Sequence, residues 1–314
     1  MAFYDKQLRD LVRRIEPTPT QKNGAARSQN HLREVLNSGQ MSARIEASYL
    51  SGSYARDTAI HPLDDVDIIF VVDPSYWPKP FSLLFGSADY PAPRTILQSF
   101  ARAIRYRYRV SSVYGQRRSV CLQLYHLNID VVPAVRDLQH PELIRIPDIQ
   151  ANQWIVTSPI RHQEIATAVN KFQDGRFKPL VKLLKYWNGN LPRTAHFKSF
   201  AIETMAVRIF RDFRFESLHE GLAYFFDFVA FISGHDTMFK WTNKCGLSLD
   251  WFSRSVPDVA GVSGNIIAGI ENERRKAFIK HAITSRNKLE ESLKARALLT
   301  GWRRIAEALK MRSG

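Results

Sequence analysis

The sequence predicts an α+β lobe followed by a mainly helical lobe. Three observations carry that prediction. Short β-branched runs lie in the first half, and Val66-Asp67-Ile68-Ile69-Phe70-Val71-Val72 is the best of them. After Pro159 the apolar residues recur at helical spacing. The chain has 314 residues, and at roughly 150 residues per domain this makes two domains or one bilobal unit. The expected division is residues 1–157, including the N-terminal helices, and residues 158–314.

The first 50 residues read as two helices broken at Pro17-Thr18-Pro19. The second helix carries Ala26, Leu32, Val35 and Leu36 on one face and stops near Ser38-Gly39. A strand follows at 66–72, then a proline-rich loop from Asp73 to Pro93 and a helix from Arg94 to about Tyr106. Strands are expected at Ser119–Tyr125 and at Asn128–Val132, the latter ended by Pro133. The second half reads as helices at Ile160–Phe172, Phe177–Trp187 and Ser199–Phe213, with a closing stretch from Arg274 to Leu309. In that stretch Ile279, Ile283, Leu289, Leu293, Ile305 and Leu309 keep mostly to one face. No fixed-period repeat or low-complexity tract is visible.

Composition narrows the function classes. With 45% apolar and 24% charged residues the chain can bury a sizeable core, which excludes disorder as its main state. The run Ile68–Val72 and the greasier Leu222–Ile232, interrupted by Asp227, fall far short of the ~20 residues that cross a bilayer. The N-terminus has no apolar core with a small-residue cleavage site. Two cysteines, Cys121 and Cys245, make neither a disulfide framework nor a four-cysteine zinc site. A cytoplasmic protein without a membrane partner is expected. Net charge is +15; residues 1–157 hold 19 Lys+Arg against 15 Asp+Glu, and residues 158–314 hold 26 against 15. Such an excess suits an anionic partner, and equally a solvated basic surface.

The chemistry is concentrated in Leu50–Ile60 and Asp65–Ile68. Carboxylates at i and i+2 on a strand share a face, so Asp65 and Asp67 repel unless a proton or a cation intervenes. Hard oxygen ligands at a strand end suit Mg2+ held together with nucleotide phosphates. A bare Asp-x-Asp also reads as an acidic surface turn. Upstream, Gly52-Ser53 offers close backbone approach to a phosphate and a hydroxyl donor. Asp130, set in Leu127-Asn128-Ile129-Asp130-Val131-Val132-Pro133, is either an edge-strand charge or a third carboxylate facing a cleft. If its strand lies beside the first, the three acids converge as a two-metal site for phosphoryl or nucleotidyl transfer requires.

Gly52-Ser53, then Asp65-x-Asp67, then a distant Asp130 resembles the polymerase-β-type nucleotidyltransferase superfamily. The fuller string Gly52-Ser53-Tyr54-x-Arg56-x-Thr58-x-Ile60, ending in Asp65-Val66-Asp67-Ile68, is similar to the CD-NTases. These are the bacterial relatives of cyclic GMP-AMP synthase and oligoadenylate synthase in antiphage signalling. The resemblance continues through His126–Pro133, Trp154–Pro159, Leu183–Trp187 and the closing helix with Trp302. It implies a polymerase-β-like lobe, a mixed sheet flanked by helices, with the helical lobe completing a nucleotide-binding cleft. It implies that Asp65, Asp67 and Asp130 hold two Mg2+ ions (or Mn2+), with Asp130 assisting deprotonation of the acceptor hydroxyl. Gly52 and Ser53 would hold the β- and γ-phosphates of the donor, Lys185 would reach the triphosphate, Ser199 would bind phosphate, and Phe200 would stack on the donor base.

The residues keep other readings open. Lys178, Lys182 and Lys185 recur at helical spacing, as one solvated face would. Ser199 also suits a helix N-cap, and Phe200 a core position. Arg56 and Thr58 either touch substrate or brace the loop. The run Arg102-Ala-Ile-Arg105-Tyr106-Arg107-Tyr108-Arg109 reads as a helix end with packed tyrosines and solvated arginines, or as a regulatory or acceptor-side surface. The zinc insertion by which some animal relatives hold DNA cannot be built here.

The expected function is template-independent synthesis of a cyclic di- or trinucleotide from nucleoside triphosphates such as ATP and GTP, in signalling of the CBASS type. A downstream cyclic-nucleotide effector and regulatory proteins are the expected partners, and nucleic acid is allowed but not required. The competing classes are an enzyme adding nucleotides to RNA or tRNA 3′ ends, and a non-catalytic nucleotide- or RNA-binding module.

Overall fold

The computed structural model describes residues 2–311, without 83–85, 240, 242–255, 263 and 296. The chain divides into two compact units, one of Pro17–Arg161 and one of Met1–Glu16 with His162–Gly314. The first helix, α1 (Ala2–Ile15), therefore belongs with the helical residues and not with the sheet, where the sequence reading put it. Its Leu8, Leu11, Val12 and Ile15 are buried, and Glu16 just beyond it accepts from Lys182 at 2.8 Å.

In the sheet unit, α2 (Pro19–Ser38) begins with a capping box between Thr18 and Gln21 and with Pro19 at its first turn. Then come β1 (Ile45–Ser51), the short α3 (Gly52–Ala55), β2 (Asp65–Val72), β3 (Phe81–Ser82), β4 (Gly86–Ser87) and α4 (Pro93–Arg107). Five further strands follow: β5 (Ser112–Gly115), β6 (Val120–Gln123), β7 (Asn128–Arg136), β8 (Ile144–Asp148) and β9 (Gln153–Thr157). The main sheet runs β1-β2-β7-β6-β5, with β8 and β9 continuing from β7. Among the described residues only the β2–β7 pair is parallel, so the sheet is mixed.

The alternation of β2 sorts its side chains between two layers. Val66, Ile68, Phe70 and Val72 pack against Leu32 and Leu36 of α2 and Ile96, Phe100 and Ile104 of α4. Ile69 and Val71 lie on the opposite face in a smaller cluster with Ala134 and Ile144. Both faces of Ile68–Val72 are covered, so the strand reads as a continuous apolar run. By the same period of two, Asp65 and Asp67 fall on the face away from α2 and α4.

Several expectations need correction in this unit. The sequence reading does not contain β3 and β4, which lie inside the expected proline-rich loop, nor β5, β8 and β9. β1 was not foreseen either: Ile-Glu-Ala-Ser-Tyr-Leu-Ser is only partly buried along its length and lacks a β-branched run. β7 does not stop at Pro133 but continues to Arg136. The β6 partners end at Val131 and the β8 partners begin at Val135, so Pro133 sits where no strand on that side needs its missing N–H.

In the helical unit, α1 is joined by α5 (Pro159–Phe172, starting just inside the sheet unit), α6 (Phe177–Gly189), α7 (Ser199–Phe210) and α8 (Leu218–Ile232). α7 ends before Phe213 because the Gln173 side-chain amide donates to the carbonyls of Phe210 and Phe213, replacing helical donors. α8 is apolar nearly all round and buried. Its one interior charge, Asp227, accepts from the backbone N–H of Met238 and Phe239 and from Trp241 Nε1. The closing stretch is two helices, α9 (Asn272–Lys294) and α10 (Leu298–Ala308), not one. Its buried face on α9 is Phe278, Ala282, Ser285, Leu289 and Ser292, while Leu293 stays 51% exposed. The serines turn that face inward: Ser285 Oγ accepts from Trp187 Nε1 at 2.9 Å and donates to the Ala308 carbonyl at 2.6 Å.

Candidate active site

Three short segments of the sheet unit build the site. In the parallel β2–β7 ladder Asp67 lies directly opposite Asp130, and Asp65 opposite Asn128. On the other side of β2, Ser51 pairs with Asp67, so the chain leaving β1 turns immediately beside that carboxylate. The turn is made by Gly52 at φ +69°, and a Cβ built there would lie 1.9 Å from Asp67 Oδ2. Glycine is required on two counts, the left-handed backbone and the approach to the carboxylate. Ser53 opens the α3 turn, and its carbonyl accepts from the Thr58 N–H at 2.9 Å. Thr58 is fully buried and therefore braces the loop; Arg56 is 8% exposed and its charge acts on Asp67.

The electrostatics of the cluster are those of crowded acids. Burial, with Asp65 and Asp130 as like charges, pushes Asp67 from an ordinary 3.8 up to about 7, and Arg56 only partly opposes this. Asp130 is also raised, first by burial, with Asp65 adding to it and the Cys121 thiol opposing it. The Oδ1 of Asp130 is buried without a hydrogen-bond partner. Such an arrangement of hard oxygens fits a divalent cation. Among the described residues no three His, Cys, Asp or Glu side chains form a ready-made metal cage.

The remaining expected site residues lie in the helical unit. Lys185 on α6 is buried, as is Lys182, so these lysines are not a solvated face. Lys185 Nζ pairs with Glu203 of α7 at 2.9 Å, each side chain 3% exposed. Ser199 is the first residue of α7 and not its N-cap; the cap position is Lys198, without a side-chain bond. Phe200 is half-buried and sits edge-on to His162, ring centroids 5.3 Å apart. Sequence reasoning missed Glu203, although a lone acid in Ala201-Ile-Glu-Thr-Met-Ala-Val207 is the mark of a buried, paired charge. It also missed Asn128 and Cys121 as the neighbours of the acids, which only strand register reveals.

In the arginine-tyrosine run the outcome is mixed. Tyr108 packs edge-on against His31, whereas Tyr106 is 59% exposed beneath the Arg109 guanidinium. Arg105 is tied to the Val113 carbonyl. Cys121 is a buried free thiol, and Cys245 lies outside the described residues. Among the described residues no helix is long and apolar enough to cross a membrane.

With that geometry in place, comparison with known proteins is specific. Residues 1–170 match the Second Messenger Oligonucleotide or Dinucleotide Synthetase domain. A curated relative, the cyclic AMP-AMP-AMP synthase of an Acinetobacter strain, is 33% identical over 213 residues, 65% of this chain and 57% of that protein. The chain thus spans less than two thirds of that relative's length. Among solved structures, Escherichia coli MS115-1 CdnC with ATP superposes with a TM-score of 0.72 at 18% identity, covering 98% of both chains. The same protein in a complex with HORMA-deltaN gives 0.69 at 19% identity over 95% of this chain and 93% of that one. Bradyrhizobium diazoefficiens CdnG, a CD-NTase in complex with GTP, gives 0.68 at 16% identity over 96% and 97%. At these identities the structures speak for the fold: a polymerase-β-like sheet lobe with a helical C-terminal part.

Proposed function

The chain belongs to the Second Messenger Oligonucleotide or Dinucleotide Synthetase family, and on that premise we propose that it joins nucleoside triphosphates into a cyclic di- or trinucleotide without a template. The observation that carries this reading is the meeting of Asp67, Asp130 and the Gly52 turn on one face of the central β2–β7 pair. A phosphate-binding turn and crowded acids are the two halves of a nucleotidyl-transfer site.

The chain's own groups divide the work. Gly52 and the Ser53 hydroxyl and amide hold the β- and γ-phosphates of the donor, using first-turn donors that have no intrahelical acceptor. Asp65, Asp67 and Asp130 are the residues that would hold Mg2+. Bound there, the metal supplies charge neutralisation at the α-phosphate and lowers the pKa of the attacking hydroxyl. Asp130, with an oxygen that no protein donor occupies, takes the proton of that ribose hydroxyl. The hydroxyl oxygen bonds to the α-phosphorus as the bond to pyrophosphate breaks, and a second transfer closes the ring. Lys185, Ser199 and Phe200 serve the triphosphate and the donor base. For Lys185 this role runs through its buried pair with Glu203, which fixes the ammonium position. The likeness to CdnC, solved with HORMA-deltaN, supports a regulatory protein partner. A cytoplasmic CBASS-type signalling role with a cyclic-nucleotide effector is the setting this reading proposes.

The test is product formation from the four labelled triphosphates with Mg2+ or Mn2+ and no acceptor, beside an Asp65→Asn/Asp67→Asn control. Phosphatase-resistant product in the wild type alone is the expected result. Extension of added RNA or tRNA in place of a cyclic product would transfer the chain to the tailing enzymes. Nucleotide binding without any turnover would make it a binding module.

A further inference from the structure

The sheet register places two polar rows across the site. One runs Ser51, Asp67, Asp130, Cys121, Tyr114 over β1, β2, β7, β6 and β5. The next runs Asp65, Asn128, Gln123, Ser112 over β2, β7, β6 and β5. Directly opposed residues share a face, so Asn128, Gln123, Ser112 and Tyr114 all stand on the carboxylate face. Only the acids and the β1 flank of these rows are used by the reading above.

The chemistry assigns the flanks. Gly52 and Ser53 sit on the β1 side of Asp67, where they take the donor phosphates. In-line displacement places the attacking and leaving oxygens on opposite sides of the phosphorus, so the acceptor hydroxyl arrives on the Asp130 side. Beyond Asp130 lie β6 and β5, and at ~4.8 Å per strand Tyr114 stands about 10 Å from Asp130. That is the reach of one nucleoside. The surface there is open and polar. Tyr114 is 44% exposed, Gln123 and Ser112 are exposed and Asn128 is half-exposed. The side-chain amides of Asn128 and Gln123 make no hydrogen bond among the described residues. Each offers both a donor and an acceptor to a ribose or base edge, and the Tyr114 ring offers a stacking platform.

We propose that the β6–β5 flank is the seat of the acceptor nucleotide, with the Asn128 and Gln123 amides on its ribose and base edge and the Tyr114 ring stacked on its base. This rests on the transferase reading above, and it names the residues that choose the acceptor. The assay fixes the two roles chemically. A 2′,3′-dideoxy triphosphate can donate but not accept, and an α,β-methylene triphosphate can accept but not donate. Both carry a base that the wild-type chain incorporates. Tyr114→Ala, Gln123→Ala and Asn128→Ala each raise the acceptor KM about tenfold, the scale of one base–aromatic stack or a lost polar contact, with the donor KM unchanged. Tyr114→Phe restores the acceptor KM, since stacking needs the ring and not the hydroxyl. An acceptor KM that does not move, or one that moves together with the donor KM, overturns the proposal while leaving the transferase reading intact. Failure of the wild-type chain to turn over any triphosphate defeats both.

Discussion

Replacing Asp67 with asparagine removes one charge from a crowded, partly buried cluster, and its consequence can be worked from the structure. The carboxyl is pushed from 3.8 to about 7, chiefly by burial. At about 1.4 kcal/mol for each tenfold in proton affinity this is worth ~4 kcal/mol at most. Asp65 and Asp130 relax as well, so about half, ~2 kcal/mol, is the expected net effect. The sign follows from linkage. The folded pKa lies above the unfolded one, so the contribution is fully present below pH 3.8 and is lost as pH climbs through about 7. Metal-free wild type should therefore lose stability between about pH 4 and pH 7, while Asp67→Asn should not. At pH 8 the variant should melt about 4–8 °C above the wild type, and at pH 4 the two should nearly coincide. Adding Mg2+ should reverse the order at pH 8 by stabilising only the wild type. Thermal unfolding at both pH values, with and without Mg2+, decides the matter. Equal melting at pH 8, or equal stabilisation of both proteins by Mg2+, would refute the account of three mutually repelling acids awaiting a cation.

Two further predictions concern the groups around the cluster. Gly52→Ala forces a Cβ to within 1.9 Å of Asp67 Oδ2 and 2.9 Å of its Cγ on a left-handed backbone. It should cost ~1–2 kcal/mol in stability and lower kcat/KM at least ~100-fold, read by melting and initial rates. Lys185→Met strands Glu203 in a site where both side chains are 3% exposed, at a cost of ~3–5 kcal/mol. Lys185→Met with Glu203→Leu should recover most of it, as chemical denaturation will show.

What the sequence made legible was local. Gly52-Ser53, Asp65-x-Asp67 and the apolar frame of Asp130 are each a few residues long, and each states its own chemistry. The pairing of Asp67 with Asp130 is not local: it depends on β2 and β7 lying parallel, which no spacing in the chain displays. β1 was hidden for a different reason, since an edge strand that stays partly exposed needs no apolar alternation. Lys185 was visible, but its partner Glu203 lies on the next helix. On α9 the helical period was read correctly, but the buried face is rotated, because Ser285 and Ser292 point inward and Leu293 outward.

The placement of α1 bears on the order in which the molecule can be made. The sheet unit is one continuous stretch, Pro17–Arg161, and holds every strand it needs as soon as that stretch has left the ribosome. The helical unit is assembled from both sides of it. Tyr4 of α1 reaches the Ser292 carbonyl on α9, and a Cβ at Gly301 of α10 would lie against its hydroxyl. Those partners are synthesised only after the sheet unit has emerged. The earliest helix must therefore wait, its Leu8 and Leu11 uncovered, while the sheet unit folds. The carboxylate cluster is then formed before the unit that carries Lys185 is complete, and the nascent chain passes through a stage with its acids assembled and its first helix still undocked.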